Sequence, residues 1–187
     1  ELAPRRIAGV PPDGFSETGQ LWGNPLYDWE RHRASGYSWW IERMRRQLEL
    51  VDIVRLDHFR GLESYFAVPA GEDAARNGVW EKGPGMELFS ALRAALGPLP
   101  LVLEDLGYLT REVIDLREAS GYPGMQILQF AFDSREPADY QPHRFPRDTV
   151  VYTGTHDNNT LIGWYETLCE ADREKSIVYL NNRRTPP

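Results

Sequence analysis

VDIVRLDHFRG, residues 51–61, is the stretch that decides how this chain folds. Its first six residues are mostly apolar and β-branched, the composition of a strand covered on both faces. An acid, a histidine and an aromatic residue follow at once, where such a strand must end. Related stretches recur downstream. LPLVLE (99–104) runs apolar into Glu104 and Asp105, MQILQFAF (125–132) is a third apolar run, and TVVYTGT (149–155) is a fourth that leads into His156 and Asp157.

Between these strands the periodicity is helical. Trp40, Ile41, Met44 and Leu48 share one face of a helix predicted from Tyr37 to Leu50. Leu88, Phe89, Leu92 and Leu96 do the same from Met86 to Leu96, with Gly97 as the C-terminal cap. Thr110 is placed to cap a helix that runs to about Ser120 and ends at Gly121, and a last helix is predicted from about Thr160 to Leu180. Residues 1–36 are rich in Pro and Gly without a sustained period, so they read as a long loop. Trp22, Tyr27 and Trp29 favour a functional role for it. A second loop is expected before Met86, with a turn at Gly83-Pro84-Gly85.

Strands alternating with helices, and apolar on both faces, indicate an α/β fold of parallel strands covered by helices. Four strands do not close a barrel, and a complete (β/α)8 barrel takes about 250 residues. The 187 residues therefore form either a small open sheet or part of a larger barrel. A start without methionine and an end at Thr185-Pro186-Pro187 favour a piece of a longer chain.

Composition narrows the function classes. With 41% hydrophobic and 26% charged residues the chain is globular in type and not disordered. The 21 basic and 28 acidic residues, net −7, argue against a nucleic-acid partner, which needs clustered Lys and Arg. No apolar run approaches the roughly 20 residues that a bilayer requires, so no membrane partner is expected. Cys169 is the only cysteine and reads as a small helix residue. No internal disulfide can form, which favours a reducing compartment such as the cytoplasm. Aromatic residues are 12% of the chain; they suit sugar stacking, and they also fill ordinary cores.

Asp57, Glu104 and Asp157 each follow a separate apolar strand. In a parallel α/β barrel the carboxyl ends of the strands converge on the face that carries catalytic residues. One acid after a strand commonly caps the next helix; three in aromatic, His or Gly contexts are harder to explain that way. Three carboxylates suit glycosidic bond cleavage: one attacks the anomeric carbon, one protonates the leaving oxygen, and further negative charge stabilises an oxocarbenium-like transition state. Arg55 lies two residues before Asp57, on the same face of the strand. It either supports an ionised nucleophile or forms a structural salt bridge. Asp105 alternates away from Glu104 and is expected to point elsewhere. His156 can donate to sugar hydroxyls.

Metal and nucleotide chemistry find little support. His32, His58, His143 and His156 show neither i, i+4 pairing nor an HExxH motif, and Asp157-Asn158-Asn159 lacks the rest of an EF-hand loop. No GxGxxG or Walker loop is present. No metal and no cofactor is therefore expected.

VRLDHFRG (54–61), LVLEDLG (101–107) and YTGTHDNNT (152–160) together resemble the 4-α-glucanotransferases, the amylomaltases or disproportionating enzymes of glycoside hydrolase family 77. AGVPPDGFSETGQLWGNPLYDW (8–29) is similar to that family's loop over the active site, and GPG (83–85) and GMQILQFAF (124–132) extend the likeness over most of the chain. The resemblance implies that residues 1–187 are the central-to-C-terminal portion of one catalytic (β/α)8 TIM barrel, with its fourth to seventh strands. It implies Asp57 as nucleophile, Glu104 as acid/base and Asp157 as transition-state stabiliser. Arg55, His58 and His156 would surround the sugar at the cleavage point, and Trp22 and Asn24 would line the glucan groove. The implied partners are maltooligosaccharides and starch- or glycogen-derived α-glucans, with glucose as acceptor, in the cytoplasm or plastids and without a cofactor. Gly14 stands where the family's loop commonly carries an aromatic residue, with Phe15 beside it. An α-amylase-like retaining hydrolase and a non-catalytic glycan-binding fragment are the alternatives.

Overall fold

The computed structural model describes residues 3–12, 16–107, 109–134 and 141–180. Gly14 and Phe15 lie outside the described residues. The chain is mixed α/β and divides into two compact units, Glu1–Tyr122 and Pro123–Pro187. The first contains β1 (Arg6–Val10), β2 (Gln20–Pro25), α1 (Trp29–Ala34), α2 (Ser38–Leu48), β3 (Val54–Leu56), β4 (Ser64–Pro69), β5 (Val79–Lys82), α3 (Met86–Leu96), β6 (Leu101–Leu103) and α4 (Arg111–Ser120). The second contains β7 (Gly124–Ile127), β8 (Thr149–Tyr152), α5 (Leu161–Thr167) and α6 (Glu170–Tyr179).

In the first unit β3 and β6 pair in parallel. Helices cover them with Trp40 and Met44 from α2, Leu88, Phe89 and Leu92 from α3, and Val113 and Leu116 from α4. The spacing of these residues is the helical one read in the sequence. Phe59, Leu88 and Leu103 are wholly buried, and each such side chain contributes about 1.5–3 kcal/mol. The strand at 51–56 is shorter than predicted: Val51 and Ile53 are exposed. Val54 N–H reaches Pro100 O at 3.0 Å, but Pro100 has no N–H to return, so the ladder cannot continue backwards past Leu101.

Residues 1–36 are not one long loop. Strands β1 and β2 join β4 and β5 in an antiparallel sheet ordered β2-β1-β4-β5. Its small core is Phe66, Val68 and Ala75, with Ile7 and Leu21 packed against it. RIAGV and QLWGNP each carry glycine, β2 is almost wholly exposed, and Pro25 closes it. Such a strand shows no alternation in sequence, because it lies at the edge of the sheet, paired on one side only with β1.

The second unit departs in two places. MQILQFAF is a strand only to Ile127; a 3-10 helix follows over Leu128–Phe132, since the partner strand β8 ends at Tyr152. The long last helix is two helices, broken at Leu168 and Cys169, both extended. Thr167 Oγ1 bonds back to Trp164 O at 2.8 Å, a local bond that competes with helix continuation. Glu170 and Asp172 supply negative charge to the first turn of the next helix. Cys169 is thus an exposed N-cap position and not a helix residue. Thr110 stands at the N-cap of α4 but makes no side-chain capping bond.

The Gly83-Pro84-Gly85 turn ties the end of β5 to the residues just before β4. Gly83 N–H donates to Glu63 O at 2.7 Å and Gly85 N–H to Leu62 O at 2.8 Å. A Cβ at position 83 would lie 2.3 Å from Leu62 O. Gly83→Ala is expected to destabilise the fold by about 1–3 kcal/mol, the usual cost of overpacking, seen as a lower urea midpoint. An unchanged midpoint would contradict this close approach.

Candidate active site

The pairs Val54↔Leu101, Arg55↔Val102 and Leu56↔Leu103 run in parallel, and Asp57 and Glu104 are the residues that follow the last pair. Glu104 N–H still bonds to Leu56 O as in the ladder, and Phe59 N–H, one residue later than a regular ladder would use, closes on Glu104 O, both at 2.9 Å. Both acids stand at the carboxyl ends of one adjacent strand pair.

Their surroundings differ. The Asp57 side chain is 75% exposed, and its Oδ1 accepts from Arg55 Nη1 at 2.6 Å. An ion pair this open is worth about 0–1 kcal/mol, so its effect is to orient the carboxylate and not to hold the fold. Glu104 is part-buried and anchored by main chain: Oε2 accepts from His58 N–H at 2.7 Å and Oε1 from Leu106 N–H at 3.0 Å. Asp105 points away, with its side chain only 1% exposed and paired at 2.8 Å with Arg117 of α4. Its task is structural.

His58 takes the left-handed conformation, φ 48° and ψ 51°, uncommon for any residue but glycine. Its ring meets Trp22 edge-on, with centroids 4.8 Å apart and planes at 86°. Burial pushes the imidazole below its ordinary value and the Arg60 charge adds to this, against an opposing pull from Asp57. The neutral ring that results near pH 7 can donate at one nitrogen and accept at the other, as a sugar hydroxyl requires.

Trp22, 39% exposed, and Asn24 project from β2. With Arg55, Asp57 and His58 they line a cavity of about 470 Å³ whose far wall includes Tyr27, Trp29 and Trp40. Sequence reading missed Arg43. Its guanidinium lies 5.3 and 5.1 Å from the ring centroids of Trp39 and Trp40 and donates to Tyr27 Oη at 2.7 Å. The signal was the Trp39-Trp40 pair three and four residues before an arginine on one helix.

In the second unit Asp157 and His156 are both exposed, and His156 Nε2 lies 3.5 Å from Asp157 Oδ2. The turn that carries them is tied down locally. Asn158 Oδ1 accepts from Thr155 N–H at 2.8 Å and from its hydroxyl at 3.0 Å, and Gln129 Nε2 donates to Asn159 O at 2.9 Å. Among the described residues no group of three or more His, Cys, Asp or Glu side chains is placed to hold a metal ion, and no helix is long and apolar enough to cross a membrane.

A family model described as 4-alpha-glucanotransferase matches residues 2–186. The chain belongs to this family. It is 56% identical over 178 residues to the 4-alpha-glucanotransferase of Streptococcus pneumoniae, a match that covers 95% of this chain and 35% of that protein. It is 48% identical over 179 residues to the chloroplastic/amyloplastic 4-alpha-glucanotransferase of Solanum tuberosum, covering 96% of this chain and 31% of that one. The amylomaltase from Streptococcus agalactiae, solved in complex with acarbose, superposes with a TM-score of 0.92 at 38% identity over 98% of this chain and 37% of that one. The chain thus spans about a third of the length of the relatives it matches.

Family membership does not set the His58 environment; local packing does, and this has a measurable result. Because folding lowers the imidazole value, the unfolded chain binds this proton more readily. The stability from His58 is complete above 6.5, its ordinary value, and is lost as pH falls through the folded value. His58→Asn, which tolerates the left-handed conformation, is expected to flatten that part of the stability–pH profile in urea titrations below pH 6.5. An unchanged slope would contradict the assigned environment.

Proposed function

We propose that this chain supplies the central-to-C-terminal portion of a (β/α)8 barrel, with β3, β6, β7 and β8 as its fourth to seventh strands. In this reading the complete enzyme is a retaining 4-α-glucanotransferase. The observation that supports the proposal is the parallel strand pair that ends just before Asp57 and Glu104, with Arg55 on Asp57, in a chain of the 4-alpha-glucanotransferase family.

The chemistry follows from the two environments. Asp57, open and oriented by Arg55, attacks the anomeric carbon of an α-1,4-glucan. Glu104 gives its proton to the departing glycosidic oxygen, and a covalent glycosyl ester with Asp57 forms. The 4-hydroxyl of glucose or another glucan then attacks the anomeric carbon of this ester, Glu104 takes the hydroxyl proton, and the C–O bond to Asp57 breaks so that Asp57 leaves as carboxylate. Asp157 adds negative charge opposite the oxocarbenium-like transition state. Arg55, His58 and His156 hold hydroxyls of the sugar at the cleavage point. A nucleophile and an acid/base in these roles require carboxyl groups about 5–5.5 Å apart.

Trp22 and Asn24 form the groove wall, and the aromatic rings of the cavity suit the apolar faces of maltooligosaccharides and of starch- or glycogen-derived glucans. Acarbose in the Streptococcus agalactiae amylomaltase supports an oligosaccharide ligand. The reaction as drawn needs no cofactor. We place the enzyme in the cytoplasm or, like the potato relative named for its plastids, in a plastid.

Maltotriose alone tests the proposal with the complete polypeptide. Transfer is expected to yield glucose together with maltopentaose and longer oligomers at a constant number of reducing ends. Only shorter sugars, with reducing ends rising in step, would establish the hydrolase instead. Binding without any turnover would establish a glycan-binding protein.

A further inference from the structure

The His58 backbone holds a conformation that its residue type does not favour. A histidine at φ 48° costs free energy that the surroundings must offset, and four contacts meet at this residue. Its N–H donates to Glu104 Oε2 at 2.7 Å. Its carbonyl accepts from Gly61 N–H at 2.9 Å, which closes the turn after β3. Its ring lies over Gly61, so that a Cβ at position 61 would sit 2.9 Å from His58 Cδ2, while Trp22 meets the ring edge-on at 4.8 Å.

Val54 N–H points at β6, to Pro100 O, and with φ and ψ in the ordinary strand region the His58 N–H would continue that ladder onto the Glu104 carbonyl. The left-handed turn instead brings Phe59 N–H to that carbonyl at 2.9 Å and leaves the His58 N–H for the Glu104 carboxylate. Phe59, wholly buried, fixes the next residue, and its N–H holds the Glu104 carbonyl. One turn therefore grips Glu104 at both main chain and side chain.

We infer that the left-handed backbone of His58 is a positioning element for the Glu104 carboxylate, and that Gly61 is a positioning residue which leaves room for the ring that keeps this backbone in place. The inference rests on Glu104 as the acid/base. It separates two properties of His58: the ring faces the sugar, while the backbone serves the neighbouring strand.

Two replacements of His58 in the complete enzyme divide these properties. His58→Gly removes the ring and keeps the left-handed conformation readily; His58→Val removes the ring and strongly disfavours that conformation. Each is assayed on two substrates. A maltooligosaccharide needs Glu104 in both steps. An α-maltotriosyl fluoride with azide needs it in neither, because fluoride leaves with its electron pair unprotonated and azide attacks as an anion, forming a C–N bond as the ester C–O bond to Asp57 breaks.

On the maltooligosaccharide His58→Val is expected to fall at least about tenfold below His58→Gly in kcat, within the 10²–10⁴-fold that general acid–base help supplies. On the fluoride with azide the two are expected to be equal. Equal rates on the maltooligosaccharide would overturn the inference, and so would an equal deficit of His58→Val on both substrates, which is a general structural defect. Gly61→Ala gives a second route, since position 61 is not in the left-handed region. It is expected to lower maltooligosaccharide turnover about tenfold in the wild-type background and to have no effect in His58→Gly, where no ring remains to displace; equal losses in both backgrounds would contradict the role of Gly61. Glu104→Gln is the control. If azide fails to restore its activity on the fluoride, the acid/base assignment falls and this inference with it. If azide restores it while the Gly and Val variants stay equal, the inference alone falls.

Discussion

The site in the first unit depends on one short run of parallel pairing. Three residues of β3 face three of β6, and two more backbone bonds through Leu56, Phe59 and Glu104 extend the match beyond the strands. A slip of one residue would turn each side chain to the other face of its strand. Asp57 would then lose its place beside Glu104, and Asp105 would exchange its buried partner Arg117 for the cavity side. The apolar residues that lock this register, Leu101, Leu103 and Phe59, therefore specify the chemistry although they touch no ligand.

That constraint also explains the unlike treatment of neighbouring acids. Glu104 and Asp105 are adjacent, yet one accepts two main-chain N–H groups at the strand end and the other is paired under helix α4. The alternation of a strand is enough to send them to opposite sides. The open Arg55–Asp57 pair contributes little stability, and its geometry is of use to a nucleophile that must remain accessible.

Legibility in the sequence followed the range of the interactions. Helices α2 and α3 were readable because their apolar faces repeat within a few residues, and α4 because Thr110 and Gly121 bound it. Asp57 and Glu104 were readable as strand-end acids because an apolar run stops abruptly at each, whereas β8 ends at Tyr152, five residues before Asp157. The antiparallel sheet was hidden, since RIAGV is held by β4, some 60 residues distant, QLWGNP is an edge strand paired only with β1, and their glycines suggest loops. The break at Leu168 and Cys169 was hidden by an apolar pattern that continues through it. Within the site Trp22, Asn24 and His58 were named from motif likeness, and the cavity brings them to Asp57. Arg43 was missed because an arginine on an exposed helix face reads as solvation until its aromatic neighbours are seen in space. The left-handed turn at His58 has no composition signal at all.

The proposed chemistry stands or falls with Asp57 as the nucleophile and Glu104 as its acid/base. Mass spectrometry of the complete Glu104→Gln protein after incubation with an α-glucosyl fluoride tests both. The fluoride does not need acid help to leave, and the resulting ester persists because base help for its breakdown is gone. One hexose covalently attached to the peptide that contains Asp57 is the expected result. An adduct on any other residue, or a wild-type product of inverted configuration, would contradict these roles.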